Sequence, residues 1–366
     1  MRIAMIGTRG VPARYGGFES AVEEIGSQLV QRGHEVIVYC RNEGQTITEY
    51  RGMRLVNLPA VRLRSTETLS HSGLSAARAI VRDRPDMAFV FNPANAPYLR
   101  LLRAAGVPCA VNLDGMEWMR PKWAGAGARY FKWAERASVR AANVIIADSM
   151  VMQARVRSEF GRPAEFIPYG AVVASPGSER LGALGVQARG YHLIVARFEP
   201  ENQVLELVEG FVASSATLPL LVVGSAPYGA DYSAAIAAAA GSDSRVRFVG
   251  SVWDSTLLEQ LYAGAATYLH GHSVGGTNPS LLRAMAAAAP VVAQDNPFNA
   301  EALGGCGVLV ADARDAASAA QRDEQLPELA RERGLAGQAR IAMHYQWSDV
   351  VDGYEAVAHT LTRGRG

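Results

Sequence analysis

The chain has 366 residues, a length that suits about two domains, each large enough for its own core. Hydrophobic residues make up 49% and charged residues 19%, no apolar run approaches the ~20 residues of a membrane-spanning helix, and Cys40, Cys109 and Cys306 are too scattered for a disulfide framework or a zinc pattern. The net charge of +1 hides an asymmetry, because residues 1–176 carry 23 Lys and Arg against 15 Asp and Glu while residues 177–366 carry 13 against 20.

Met1 runs at once into Arg-Ile-Ala-Met-Ile-Gly, which reads as a buried strand. The basic segment, apolar stretch and cleavage site of a signal peptide are missing, so a cytoplasmic protein is expected. The first half alternates short β-branched strands with amphipathic helices, the pattern of a parallel sheet with helical crossovers. Its strands are expected at 3–6, 35–39, 53–58, 87–91, 108–113, 144–147 and 165–167. The first ends in Gly7-Thr-Arg-Gly-Val-Pro-Ala-Arg-Tyr-Gly-Gly-Phe-Glu19, and a helix is expected from Ser20 to Gln31. Gly16 and Gly17 read either as a tight turn or as a loop that admits a sugar and a phosphate. Their spacing is not the Gly-x-Gly-x-x-Gly of dinucleotide binders, and no carboxylate follows the second strand, which disfavours a nicotinamide role. Arg62, Arg64, Arg78, Arg82, Arg84, Arg100 and Arg103 either steer an anionic acceptor, rest on an acidic membrane, or are ordinary solvated helix faces. Aromatic residues do not interleave with them, so nucleic acid is disfavoured.

A stretch rich in Ser, Gly and Pro, Ala174–Gly190, is the expected linker. The second half repeats the pattern, with strands at 193–195, 218–223, 246–249, 267–270, 291–293 and 308–310. Between the last of these but two and the helix after it stands His270-Gly-His-Ser-Val-Gly-Gly-Thr-Asn-Pro-Ser-Leu-Leu-Arg283. Gly275 and Gly276 let backbone N–H groups approach a ligand, Thr277 and Ser280 add hydroxyls, and Pro279 suits the first turn of a helix running through Met285. These residues describe a phosphate cradle, although a capped helix after a glycine turn would read the same way. The helix dipole contributes only about 0.3–1 kcal/mol to holding an anion, so oriented N–H groups and a cation must share the work. His270 and His272 have strand spacing but no third metal ligand follows them. The fold class is thus α/β, two doubly wound Rossmann-like domains facing across a cleft, with ligands beyond the carboxyl ends of the strands.

The two glycine loops, together with Asn112-Leu-Asp-Gly-Met-Glu-Trp118, Ala196-Arg-Phe-Glu-Pro-Glu-Asn202 and Asp295-Asn-Pro-Phe-Asn299, resemble the GT-B glycosyltransferases. Within them the chain is similar to the retaining family four, and to its bacterial rhamnosyltransferase-like subgroup. The resemblance spans nearly the whole chain. It implies an acceptor-binding domain at 1–176, a nucleotide-sugar-binding domain at 177–345 and a final helix at 346–366 that crosses back to the first domain. The implied activity is transfer of a hexose, rhamnose by the subgroup, from a dTDP- or UDP-sugar to a saccharide or lipid-linked saccharide in cell-surface glycan biosynthesis, with retention. No metal and no cofactor beyond the donor is implied, and the cytoplasmic place extends to the inner face of the plasma membrane.

By the same resemblance Arg197 contacts the donor diphosphate, and Gly16, Gly17, Gly224, Gly250, His272, Gly276, Thr277, Asn278, Ser280 and Arg283 line the donor. Asp114, at the end of an apolar strand, orients a sugar hydroxyl or helps activate the acceptor, with Glu19, Glu117 and Trp118 on the acceptor side. The chain departs from the wider family at Gly275 and Arg283, both usually glutamates, and at Asn202, usually a lysine. Arg283 either replaces the missing cation or disables the donor site. The second case leaves a degenerate binding or scaffold subunit, and a sugar-nucleotide epimerase or hydrolase is the remaining alternative.

Overall fold

The computed structural model describes residues 1–13, 17–41, 44, 47–61, 67–123, 125–173, 175–226 and 230–363. The chain divides into two compact units, Met1–Tyr169 with Trp347–Gly366, and Gly170–Gln346.

The first unit runs β1 (Arg2–Ile6), α1 (Gly17–Gln31), β2 (Glu35–Arg41), β3 (Glu49–Tyr50), β4 (Met53–Leu58), α2 (Glu67–Arg78), β5 (Met87–Phe91), α3 (Ala96–Ala104), β6 (Cys109–Asn112), α4 (Ala126–Ala141), β7 (Val144–Ala147), α5 (Met150–Phe160) and β8 (Glu165–Phe166). Its sheet has the order β3-β4-β2-β1-β5-β6-β7-β8, parallel except where β3 folds back on β4. Helices covering both faces explain why β1, β2 and β5 are apolar almost without alternation: Ile3, Met5, Ile37, Val38, Phe89 and Val90 are all buried. The β3–β4 hairpin was not expected. Its turn is Arg51-Gly52, both residues at positive φ (48° and 78°), the geometry that matches the twist of paired strands.

The second unit runs β9 (His192–Val195), α6 (Val204–Val212), β10 (Leu220–Val223), α7 (Ala230–Ala240), β11 (Val246–Gly250), α8 (Ser255–Ala263), β12 (Thr267–His270), α9 (Pro279–Ala286), β13 (Val291–Gln294), α10 (Pro297–Leu303), β14 (Val308–Val310), α11 (Ala313–Gln325) and α12 (Pro327–His344). All six strands are parallel, in the order β11-β10-β9-β12-β13-β14. Ile194, Val208, Phe211, Leu269 and Val292 form part of its core. Chain order reverses between β9 and β12, so the loops leaving these two neighbours diverge and open a crevice at their carboxyl ends.

The stretch expected as a linker is mostly exposed but anchored at two points. Leu181 and Val186 are buried, and the Arg180 N–H donates to Gln260 Oε1 of α8 at 2.9 Å. The change of unit comes earlier, between Tyr169, whose ring meets Phe18 at 6.4 Å, and Ala171, whose N–H donates to the Tyr345 carbonyl. The last helix, α13 (Trp347–Thr362), lies in the first unit. Tyr354 packs edge-on to Phe89 at 4.9 Å and its hydroxyl accepts from Asn112 Nδ2 at 3.0 Å. Arg32 holds the outer face of α13 through Asp352 and Glu355, at 2.6 and 2.7 Å. Among the described residues no helix is long and apolar enough to cross a membrane.

Candidate functional site

In the second unit the loops after β9, β10, β11 and β12 are laced together at the carboxyl end of the sheet. The Phe198 N–H donates to the Ser225 carbonyl at 3.0 Å, the Gly224 N–H to the Gly250 carbonyl at 2.9 Å, and the Ser225 and Ser251 hydroxyls meet at 2.7 Å. Gly224 has no room for a side chain: at φ 147°, a Cβ would sit 1.8 Å from the Ala196 carbonyl oxygen. The β9 and β10 loops can therefore lie this close only with glycine there.

Across the crevice Asn202 is the brace. Its Nδ2 donates to the Arg197 carbonyl at 2.8 Å and its Oδ1 meets His272 Nδ1 at 2.7 Å. One amide thus fixes the arginine loop after β9 and the histidine loop after β12, and it gives the His272 ring a defined orientation. A lysine at 202, having donors and no acceptor, could meet His272 only with Nδ1 unprotonated, whereas the Asn202 Oδ1 holds the Nδ1–H tautomer. The His272 carbonyl accepts from Asn296 Nδ2 at 2.9 Å and Asn299 Nδ2 at 3.0 Å, so the Asp295-Asn-Pro-Phe-Asn segment supports the same loop.

The start of α9 is capped from within. Asn278 Oδ1 accepts from the Ser280 N–H at 2.9 Å and from the Ser280 hydroxyl at 2.8 Å, and that hydroxyl accepts from Tyr268 at 3.1 Å. The Ser280 hydroxyl, expected as a donor to a ligand, here gives its proton to Asn278. Gly275, at φ 139°, turns the chain into this helix, Gly276 follows it, and Thr277 is buried beside the cap. Arg283 is exposed on α9, close enough to Tyr262 for its charge to act on the phenol. His270 is sealed beneath: burial pushes its pKa down to about 3, and Nδ1 meets the Tyr268 hydroxyl at 3.2 Å. It is therefore a neutral supporting ring rather than a cation for a phosphate.

The first unit gathers a second set. Asp114 leaves β6 in the left-handed region (φ 56°), its N–H donating to Asn112 Oδ1 at 3.0 Å and its carboxylate 3.6 Å from Arg120. Asp114, Asp148 and Glu19 all bear on the buried Tyr169, whose phenol pKa is raised first by burial and then by the Asp114 and Asp148 charges. Glu19 is buried and accepts from the Arg9 N–H at 3.0 Å, fixing the glycine-rich loop against α1; Gly17 is the first residue of that helix, and Gly16 lies outside the described residues. Glu117 is held by Arg120 at 2.6 Å and by the Trp123 indole at 3.2 Å. The Trp118 indole donates to Glu135 at 3.1 Å. Both therefore have internal partners that shape the loop after β6. Asp148, Tyr169 and Tyr268 had no sequence signal beyond their places at strand and helix ends, whereas Asn299 closes the quoted Asp295-Asn-Pro-Phe-Asn segment.

His34, Glu355 and His359 put one donor atom each within 4.8 Å of one another, the one group of metal-ligating type found among the described residues. Glu355 is already engaged there by Arg32 at 2.7 Å.

Residues 189–326 match the family model "Glycosyl transferases group 1", and residues 1–172 match "Domain of unknown function (DUF1972)". No curated protein matches the chain. Solved structures do. Sucrose-phosphate synthase from Thermosynechococcus elongatus superposes with a TM-score of 0.84 at 21% identity over 99% of both chains. HepE from Anabaena, in complex with UDP-glucose, gives 0.78 at 18% identity over 98% of this chain and 99% of its own. A glycosyltransferase from Rickettsia africae gives 0.74 at 14% identity over 98% of each. The fold is that of the GT-B glycosyltransferases, built from two parallel-sheet Rossmann-like domains.

Proposed function

We propose that the chain is a glycosyltransferase that takes a sugar from a nucleotide diphosphate sugar and gives it to a saccharide hydroxyl. The observation that carries this reading is the crevice between β9 and β12, where Asn202 joins the Arg197 loop to the His272 loop beside the capped start of α9. Arg197 supplies a charge-assisted contact to the diphosphate as it leaves, and the N–H groups around Gly276 and Thr277 share its charge. Gly224 and Gly250 let the sugar and base lie against backbone, with His272, Asn278, Ser280 and Arg283 around them. The match of residues 189–326 to glycosyl transferases group 1 supports the activity, and UDP-glucose in HepE supports a pyrimidine nucleotide, UDP or dTDP.

On this reading the first unit receives the acceptor, with Asp114 orienting a hydroxyl and Glu19, Glu117 and Trp118 shaping that side. Transfer proceeds with retention, the donor phosphate taking the acceptor proton, and needs no metal or other cofactor. The donor sugar is rhamnose, by the resemblance of the glycine loops. The acceptor is a growing, lipid-linked cell-surface saccharide, and the work is cytoplasmic, at the inner face of the plasma membrane.

Calorimetric titration with dTDP, UDP, GDP and ADP tests the pocket, and product analysis with each nucleotide sugar tests the transfer. Binding of one nucleotide with an acceptor-dependent glycoside product is expected. Free sugar formed without acceptor would point to hydrolysis. The exposed cation of Arg283 favours one rival, a degenerate binding subunit. No nucleotide binding by the folded wild type, with binding in Arg283→Glu, would establish that rival.

A further inference from the structure

Helix α4 carries an unusual outward face. At 100° per residue, Arg129, Lys132, Trp133, Arg136 and Arg140 fall within an arc of about 100°, while Phe131, Ala134 and Ser138 are buried on the other side. With Arg100 of α3 these residues line a depression of about 590 Å³. No carboxylate lines it. Glu135, the acid of the helix, turns inward to Arg155 at 3.1 Å. None of the five cations is in an ion pair among the described residues, and Lys132 Nζ lies over the Trp118 ring, 5.1 Å from its centre.

Such a face works against the helix that bears it. Lys132 with Arg136, and Arg136 with Arg140, are like charges at i,i+4, which repel. Soluble helices ordinarily mix signs on the solvent side. An anionic partner would relieve that repulsion.

The dimensions favour an extended one. Arg129 to Arg140 spans about 16 Å of helix axis, far more than a single phosphate occupies, so the face suits a field of phosphates. Its aromatic and aliphatic neighbours suit a lipid surface. Trp133 is 51% exposed, and Leu101, next to Arg100, is 55% exposed. An indole and a leucine among arginines are the composition of a headgroup-level anchor, whereas single-stranded nucleic acid would ask for a series of stacking rings.

We propose that the α3–α4 face docks the protein on an anionic bilayer, with lipid phosphates along Arg100, Arg129, Lys132, Arg136 and Arg140 and with Trp133 at headgroup depth. The proposal deepens the membrane placement made above and rests on that part of the reading alone. The surface lies within the first unit, whereas the Arg197 loop and the α9 cap belong to the second unit.

The test is sedimentation of the full chain with phosphatidylcholine vesicles and with vesicles that also contain phosphatidylglycerol. Binding only to the anionic vesicles is expected, weakening as salt rises. At about 1 kcal/mol per basic residue near the surface, each neutralised cation costs roughly fivefold, so Arg129→Ala with Arg136→Ala should lose roughly 30-fold. Nucleotide binding of that variant should be unchanged, which separates this result from failure of the transferase reading. A blue shift of emission on vesicles that disappears in Trp133→Phe is also expected. Equal binding to both vesicle types, or undiminished binding by the double variant, would overturn the proposal. So would complete displacement by inorganic phosphate at constant ionic strength, or tighter binding of a single-stranded RNA than of the anionic vesicles.

Discussion

Arg197 and His270 stand at similar places in the sheet and do opposite work. Arg197, at the mouth of the crevice, keeps partial exposure and its backbone is fixed by Asn202. Arg197→Ala should therefore leave thermal unfolding nearly unchanged while lowering donor affinity or turnover by roughly 10- to 150-fold, the loss of about 1.5–3 kcal/mol for a charge-assisted bond. Turnover equal to wild type would remove it from the site. His270 is sealed from water, and burial lowers its pKa to about 3 against 6.5 when exposed. Between those values the unfolded chain binds a proton that the folded chain refuses. Stability is thus complete above pH ~6.5 and falls as pH drops towards 3, by up to about 1.4 kcal/mol per pH unit. Urea unfolding at pH 7 and pH 5 should show a smaller loss in His270→Gln than in wild type; identical losses would mean that the ring is protonated in the fold.

At the level of elements, the loops after β9 and β10 approach each other only because position 224 lacks a Cβ. Gly224→Ala places that carbon 1.8 Å from the Ala196 oxygen in a backbone region closed to alanine, so the β9 loop must shift. Loss of nucleotide binding is expected together with a lowered unfolding midpoint, and a variant that binds normally would show that the loop position is unimportant. Parallel strands announced themselves in the sequence because burial on both faces leaves continuous runs such as Ile3 to Ile6 and Leu220 to Val223. The β3–β4 hairpin did not, since two residues are too few for a pattern and only Gly52 marks the turn. The glycine turn and capped start of α9 were legible from Gly275 to Ser280. The tie of that start to β12 was not, because the bond from Tyr268 to Ser280 joins a strand to a helix start, a pairing that local spacing does not encode. The basic half of the chain was visible as a count, but two of the arginines singled out from it serve other ends. Arg78 pairs with Asp83 at 3.4 Å, Arg103 donates to the Ala141 carbonyl at 2.5 Å, and only Arg100 of that group lines the α3–α4 depression. Arg62 and Arg64 lie outside the described residues.

For the molecule as a whole, the decisive fact is that α13 returns to the unit in which the chain began. Tyr354 is buried against Phe89 and bonded to Asn112 at the end of β6, next to the loop that carries Asp114. Tyr354→Ala should cost the first unit about 3–5 kcal/mol, as deletion of a buried aromatic does, and should spare nucleotide binding by the second unit. Separate unfolding of the two units, seen as an early transition that nucleotide does not shift, is the expected signature; a single transition raised by nucleotide would mean that they unfold as one. The order of synthesis gives the same helix a further meaning. A ribosome adding about 5–20 residues per second releases Tyr169 roughly 10–40 s before Trp347. Throughout that interval the nascent first unit must wait with the surface around Phe89 uncovered, while the second unit is still being made.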